Sequence, residues 1–351
     1  MLKVGIIGCG SVTIWRHAPE YHNNPDCKIE MFYDVVPERA QALAEQYGAK
    51  WCTDYKEIFN DPNIDAVSIC SPNETHAALS IEAMKAGKHV LCEKPFATNL
   101  QDAVEMQKVA KATGKNLMAG HSQRYFSCHI EAKKILETGL LGKVISFSGI
   151  FKNHGPDFWS IDKGNKCWFF DKNKSYFGAL GDLGVHKIDS IAWLINDDFE
   201  YVSATNFVLN KTGADGEPIE VPDNTFATLI TKNGIAGTVE AGWSCYGSSE
   251  NSITIYCENG VIYTQDEKEE DLVIITKKEI PVRINTKAMK TPEELKNCGI
   301  IDEFVNSILE NRTPAISGVD GVKAIAVIEA CFESSKNNSV KTKVKSMEEL
   351  F

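Results

Sequence analysis

The sequence predicts an α/β protein of two domains. A doubly wound parallel sheet comes first, and an α+β domain with a large, mostly antiparallel open sheet follows. Three observations carry this. The first third alternates short apolar runs with amphipathic stretches of ten or more residues, the rhythm of strands joined by crossover helices. Beyond about residue 122 the runs alternate residue by residue and are joined by tight turns. A chain of 351 residues also exceeds what one core usually organises. The expected domains are therefore 1–122 and 123–351.

Each element has its own signal. KVGII (3–7) is a strand that runs into a glycine turn and a helix near 12–22. KIEMFYD (28–34) is a second strand, and ERAQALAEQYG (38–48) has helical spacing and closes in glycine. IDAVSIC (64–70) is continuously apolar, as a strand buried on both faces should be. THAALSIEAMKAG (75–87) is a helix, KHVLCEK (88–94) a strand, NLQDAVEMQKVAKATG (99–114) a helix and KNLMAG (115–120) a strand. In the second domain the helix HIEAKKILETG (129–139) precedes the strand KVISFSGIF (143–151). Further strands are expected around 201–208, 225–232, 235–243, 252–258, 260–264 and 271–277. Asn233-Gly234 and Glu258-Asn259-Gly260 sit between alternating runs and mark hairpins. A last helix, GVKAIAVIEACFESSK, covers 321–336. The Lys- and Glu-rich region 266–300 is either plain surface or a partner contact.

Composition excludes several classes of function. A net charge of −11 argues against binding nucleic acid or an anionic membrane. No run approaches the ~18 apolar residues of a membrane span. The N-terminus lacks the basic and apolar segments of a secretion signal, so a cytoplasmic location is expected. The 11 cysteines include no CxxC pair. They are expected to be small buried hydrophobes in a reducing compartment, and no metal is expected.

The glycine turn carries the first functional reading. Gly8 and Gly10, with Ser11 and Val12, stand between a strand and a helix. There, backbone N–H groups and the helix dipole can meet a pyrophosphate. Thr13 falls where a third glycine or alanine is usual; it either loosens helix–strand packing or caps the helix. Asp34 closes the second strand at the distance expected of a carboxylate that accepts the adenosine ribose hydroxyls. A carboxylate there would repel a 2′-phosphate, so NAD is favoured over NADP.

Three stretches narrow the chemistry: GIIGCGSV (5–12), SICSPNETH (68–76) with AGKHVLCEKPFA (86–97), and GALGDLGVHKID (178–189). Together they resemble the Gfo/Idh/MocA oxidoreductases, in the right order from about residue 3 to 265. That family has an N-terminal Rossmann domain and includes inositol dehydrogenases and glucose–fructose oxidoreductase. The resemblance implies a dehydrogenase that moves a hydride from a secondary hydroxyl of a sugar, sugar acid or cyclitol to NAD(P). It makes Lys94 catalytic, holding the hydroxyl and stabilising the alkoxide. It makes His186 the general base, with Asp182 orienting either the base or the substrate. Asp189, three residues on, is a candidate acceptor for a substrate hydroxyl. Arg124, in Gln123-Arg124-Tyr125, resembles the family's Arg-aromatic pair and is a candidate for substrate oxygens, although Ser127 and Cys128 follow where proline is common. Ser71, Pro72, Asn73 and His76 are expected near the nicotinamide half of the cofactor, and Glu93 near its ribose. His154 is either a polyol contact or a capped loop histidine. Trp159 and Trp168 either wall the pocket or belong to the core. The resemblance also implies a homodimer or homotetramer formed through the open sheet face. Two other functions on this fold are an NAD-dependent glycoside hydrolase and a silent nicotinamide or sugar sensor. Retention of Lys94, Asp182 and His186 together argues against the sensor.

Overall fold

Six short, apolar strands form one wholly parallel sheet, as a computed structural model of the chain shows over residues 1–265, 271–278, 281–286 and 297–351. They are β1 (Leu2–Ile7), β2 (Cys27–Tyr33), β3 (Lys50–Cys52), β4 (Ala66–Ile69), β5 (His89–Cys92) and β6 (Leu117–Ala119). Their order is β3-β2-β1-β4-β5-β6, so the chain reverses direction across the sheet between β1 and β4. Ligands bind at such a switch point, beyond the carboxyl ends of the strands. Every residue of β4 and β5 except His89 is buried, which is why these strands read as apolar runs without alternation.

Helices Pro37–Tyr47, His76–Lys85 and Leu100–Thr113 form the crossovers, within two residues of their expected ends. Gly48 adopts the left-handed conformation that ends the first of them. The Asn99 side chain caps the third by accepting from the Asp102 N–H at 2.8 Å. Strand β3 and the short helix Lys56–Asn60 lie outside the sequence reading; both are too brief to show a period.

The chain divides into two compact units. The first comprises Met1–Gly120, Trp159–Ile161 and Lys296–Ile325, and the second the remainder. The division passes through the long helix Gly318–Lys336.

The second unit is built on a nine-stranded sheet: β7 (Val144–Lys152), β8 (Phe199–Phe207), β9 (Asn224–Thr231), β10 (Ala236–Gly242), β11 (Glu250–Cys257), β12 (Gly260–Gln265), β13 (Asp271–Thr276), β14 (Pro281–Asn285) and β15 (Thr342–Lys343). Its order is β14-β13-β12-β11-β7-β10-β9-β8-β15. All neighbours are antiparallel except β7 and β10, which run parallel in the middle. Strands β14 and β15 lie outside the sequence reading, as does the helix Ile300–Leu309 of the first unit. Of the charged region 266–300, residues 266–270, 279–280 and 287–296 lie outside the described residues.

One face of this sheet carries the helices Ser127–Glu137 and Val185–Ile195. Gly149 of β7 lets the second of these approach, since a Cβ there would stand 2.7 Å from Ile191 Cδ1. The opposite face shows a row of hydroxyl side chains across six strands: Tyr263, Thr254, Ser148, Thr238, Thr228 and Ser203. All 11 cysteines are unbridged, and nine of them are buried. Burial pushes the thiols of Cys27 and Cys331 up to about 12, so these behave as packing groups. No helix among the described residues is long and apolar enough to cross a membrane.

Candidate functional site

In the first unit the glycine loop meets the switch point. Gly8 has φ +96°, and a Cβ on it would lie 2.6 Å from the Cys70 carbonyl. Only glycine lets β1 leave the sheet this close to the end of β4. Gly10 differs, because a Cβ there would meet nothing within 4 Å. Space therefore opens over the loop, where the helix that begins at Ser11 and Val12 presents N–H groups with no partner in its own first turn.

Thr13 neither loosens the packing nor caps the helix. It is wholly buried, and its hydroxyl donates to the Gly8 carbonyl at 2.6 Å, tying the loop to the helix that follows. That helix takes one wide π turn over Thr13–His17 before continuing as Ala18–Asn23.

Asp34 sits just past the end of β2 and is nearly buried. Its Oδ2 accepts from the Cys9 N–H at 2.7 Å and its Oδ1 from the Val36 N–H at 2.8 Å. These bonds fix the carboxylate beside the glycine loop. Two ionised oxygens offer about four acceptor directions, so capacity remains for a ribose diol. The open space at Gly10, the helix start and this anchored acid fit a dinucleotide.

After β4, the Ser71 hydroxyl meets that of Thr75 at 2.5 Å, and Pro72 leads into the short helix Asn73–Thr75. His76 is fully buried, and its ring nitrogens stand 2.8 Å from the carbonyls of Pro95 and Ser71. Burial lowers its pKa below the ordinary histidine value, against the two carbonyls.

Glu93 also faces into the fold. Its Oε1 meets His17 Nε2 at 2.9 Å, and its Oε2 accepts from the Lys94 backbone N–H at 3.1 Å. Burial opposes ionisation, but the His17 hydrogen bond, with the cations of Lys94 and Arg16 nearby, takes the carboxyl down to about 2. Lys94 itself is half-buried, just past the end of β5, and its peptide to Pro95 is cis. Trp159 belongs to this first unit, its ring 6.2 Å from that of Trp15.

In the second unit, Asp182 lies in a π turn, Leu180–Gly184, that runs directly into the helix Val185–Ile195 bearing His186 and Asp189. Asp182 is buried and accepts from the Trp243 indole N–H at 3.0 Å. Trp243 is anchored in a core with Cys167, Phe170, Leu183 and Val221, so it orients the acid rigidly. His186 is nearly buried, with its ring 6.0 Å from Phe151.

Arg124 and Asp189, expected as two separate substrate contacts, are paired with each other: Nε to Oδ2 at 2.8 Å and Nη2 to Oδ1 at 2.5 Å. His121 Nε2 stands 3.8 Å from the same carboxylate. His154 lies 5.4 Å from Phe158 and 6.2 Å from Tyr246, ring to ring, and its carbonyl accepts from Lys211 at 2.6 Å. Trp168 stacks on Phe169 at 3.8 Å.

Two residues here escape the sequence reading. Lys187 is fully buried, its ammonium 5.6 Å from the Phe151 ring centre. His17 carries no sequence signal, because nothing in its helix links it to a glutamate 76 residues away. Among the described residues no group of three or more His, Cys, Asp or Glu could hold a metal ion.

Comparison with known proteins agrees with this geometry. Residues 2–121 match the model of an oxidoreductase family with an NAD-binding Rossmann fold, and residues 129–263 match the GFO/IDH/MocA C-terminal domain. Levoglucosan dehydrogenase of Pseudarthrobacter phenanthrenivorans is 31% identical over 307 residues, 77% of this chain and 75% of that protein. Myo-inositol 2-dehydrogenase of Thermotoga maritima is 26% identical over 97% of this chain and 98% of its own. A solved structure of levoglucosan dehydrogenase in complex with NADH and levoglucosan superposes with a TM-score of 0.90. It is 25% identical and covers 98% of this chain and 100% of that one.

Proposed function

The chain belongs to the Gfo/Idh/MocA oxidoreductases, and on that ground we propose that it oxidises one secondary hydroxyl of a ring polyol with NAD as acceptor. The substrate class is a sugar, sugar acid or cyclitol. Levoglucosan and myo-inositol, which name the relatives' activities, are both rings bearing secondary hydroxyls. The observation that carries the cofactor half is Asp34, held by the Cys9 and Val36 N–H groups with acceptor capacity to spare. It supports NAD over NADP, because a fixed carboxylate repels a 2′-phosphate.

Bound NAD would supply the hydride acceptor. Gly8, Gly10, Ser11 and Val12 would hold its pyrophosphate, and Ser71, Pro72 and Asn73 would border its nicotinamide half. Lys94 holds the reacting hydroxyl and stabilises the oxygen as negative charge develops. His186 takes the hydroxyl proton. Asp182, fixed by Trp243, orients His186 or the substrate. The Arg124–Asp189 pair presents a fixed edge to substrate oxygens, and His154 is a further polyol contact. A homodimer or homotetramer formed through the open face of the second sheet belongs to the same reading and rests on the family alone.

The test is absorbance at 340 nm with NAD and a panel of cyclitols, aldoses, anhydrosugars and sugar acids, beside Lys94→Ala and His186→Ala. NADH formed with one class and lost in both variants is the expected result. Bound NAD with no turnover on the whole panel would overturn it and turn attention to glycoside cleavage or sensing.

A further inference from the structure

We propose that His17 is a positioning residue: through Glu93 it sets where Lys94 stands. The inference rests on Lys94 being the group that meets the substrate. A chain of four buried groups runs through the first unit. The Tyr21 hydroxyl lies 2.8 Å from Ser68 Oγ, Ser68 Oγ lies 3.2 Å from His17 Nδ1, and His17 Nε2 lies 2.9 Å from Glu93 Oε1. Tyr21, His17 and Ser68 are all fully buried.

Burial holds the Tyr21 phenol well above its ordinary pKa, so its proton stays on the oxygen and is shared with Ser68. An ionised carboxylate can only accept, so the hydrogen between His17 Nε2 and Glu93 Oε1 is carried by the imidazole. The chain ends on a carboxylate whose other oxygen accepts from the main chain of Lys94. Glu93 thus ties a helix of the cofactor loop to the backbone of the lysine.

The neighbouring contacts show that this segment is over-determined. His76 reaches the Pro95 carbonyl from the helix after β4. The Glu93 N–H donates to the Ile69 carbonyl of β4 at 3.0 Å. Gly120 donates to the Cys92 carbonyl at 2.7 Å, and a Cβ on it would press within 2.9 Å of Glu93 Cα. Residues 92, 93 and 95 are therefore each held by a different element. The Lys94 N–H is held by the Glu93 carboxylate, and that carboxylate is aimed by His17.

The test reads the Lys94 amine directly, by its rate of acetylation with limiting acetic anhydride at pH 8 and peptide mass spectrometry. Without the His17 hydrogen bond the Glu93 charge acts more fully on the Lys94 ammonium that already lies near it, which favours the protonated, unreactive amine. His17→Leu is therefore expected to acetylate at Lys94 at least about threefold more slowly than the native protein. His17→Gln, whose amide can still donate to Glu93, should stay within about 1.5-fold of native. His17→Asn, too short to reach Glu93, replaces the leucine variant if that one does not fold. Equal rates in all variants overturn the proposal, as does a glutamine variant as slow as the leucine one. Turnover of Lys94→Ala in the 340 nm assay separates the two readings. Full turnover there overturns the role of Lys94 and this proposal with it. Lost turnover with equal acetylation rates overturns the His17 proposal alone.

Discussion

Arg124 and Asp189 meet edge to edge, the guanidinium laying two parallel N–H groups against both carboxylate oxygens at 2.8 and 2.5 Å. Both side chains are largely shielded from water, 11% and 2% exposed, so neither charge has solvent to fall back on. The residues lie 65 positions apart, and the pair pins the entry of the second unit to the helix that carries His186.

Breaking one side of that pair should be worse than removing both. Arg124→Met leaves a buried carboxylate uncompensated and should destabilise the protein by about 3 kcal/mol or more. Adding Asp189→Asn should recover over half of that loss. Urea unfolding midpoints of the native protein and the two variants check it; a double variant no more stable than Arg124→Met would contradict the account. Arg124→Lys should not substitute, because a lysine cannot make the two-pronged contact.

The two glycines of the cofactor loop should separate folding from binding. Gly8→Ala forces a Cβ to 2.6 Å from the Cys70 carbonyl at φ +96°, and should lower the thermal midpoint markedly. Gly10→Ala meets nothing in the protein and should leave that midpoint nearly unchanged. Its added methyl instead occupies the space proposed for the pyrophosphate, so NADH affinity, read by fluorescence, should fall at least about tenfold. Unchanged NADH affinity in Gly10→Ala would place the cofactor elsewhere.

Asp34 should set cofactor preference. Asp34→Ser removes the charge, along with the acceptors of the Cys9 and Val36 N–H groups. The ratio of NAD to NADP affinity should fall by about tenfold to a hundredfold, the worth of one or two charge-assisted hydrogen bonds. Isothermal titration with both reduced cofactors measures it.

Glu93 should shape the acid limb of stability. Its carboxyl is held at about 2, below the ordinary 4.5, despite burial and mainly by His17. A depressed carboxylate adds stability that is fully present above the unfolded value and is lost as pH falls towards the folded one. Stability should therefore decline as pH drops from about 4.5 to about 2, and Glu93→Gln should flatten that decline. Denaturant titrations at pH 5, 4 and 3 make the comparison.

The strands and crossovers are legible because their periods are written locally. Residues 66–69 are buried without interruption, and Asn233-Gly234 and Glu258-Asn259 sit between alternating runs that do pair as hairpins. Relations between distant residues are not legible. That Arg124 would spend its charge on Asp189, that Trp243 would orient Asp182, and that His17 would reach Glu93 are consequences of packing. Composition and spacing do not encode them. Thr13 is intermediate: its departure from the usual small residue is visible, but its bond to the Gly8 carbonyl depends on the turn that the glycine makes. Of the elements missed, β3 and β15 span three residues and two and are defined by their neighbours, while β14 and the helices Lys56–Asn60 and Ile300–Leu309 also lie outside the sequence reading.

The parallel pair at the middle of the second sheet bears on how the chain comes to be folded. Strand β7 is the first of that sheet to be made, yet its parallel neighbour β10 lies far along the chain: Ser146 and Ala236, which bond across the pair, are 90 residues apart. The flanking hairpins β9–β10 and β11–β12 close over a few residues each and can form early. A contact across so long a loop must meet its entropic cost before any pairing is gained, which slows assembly. The strand translated earliest therefore gains no early partner: both its neighbours, β10 and β11, are made about 80 residues or more later, and until then its two edges stand open.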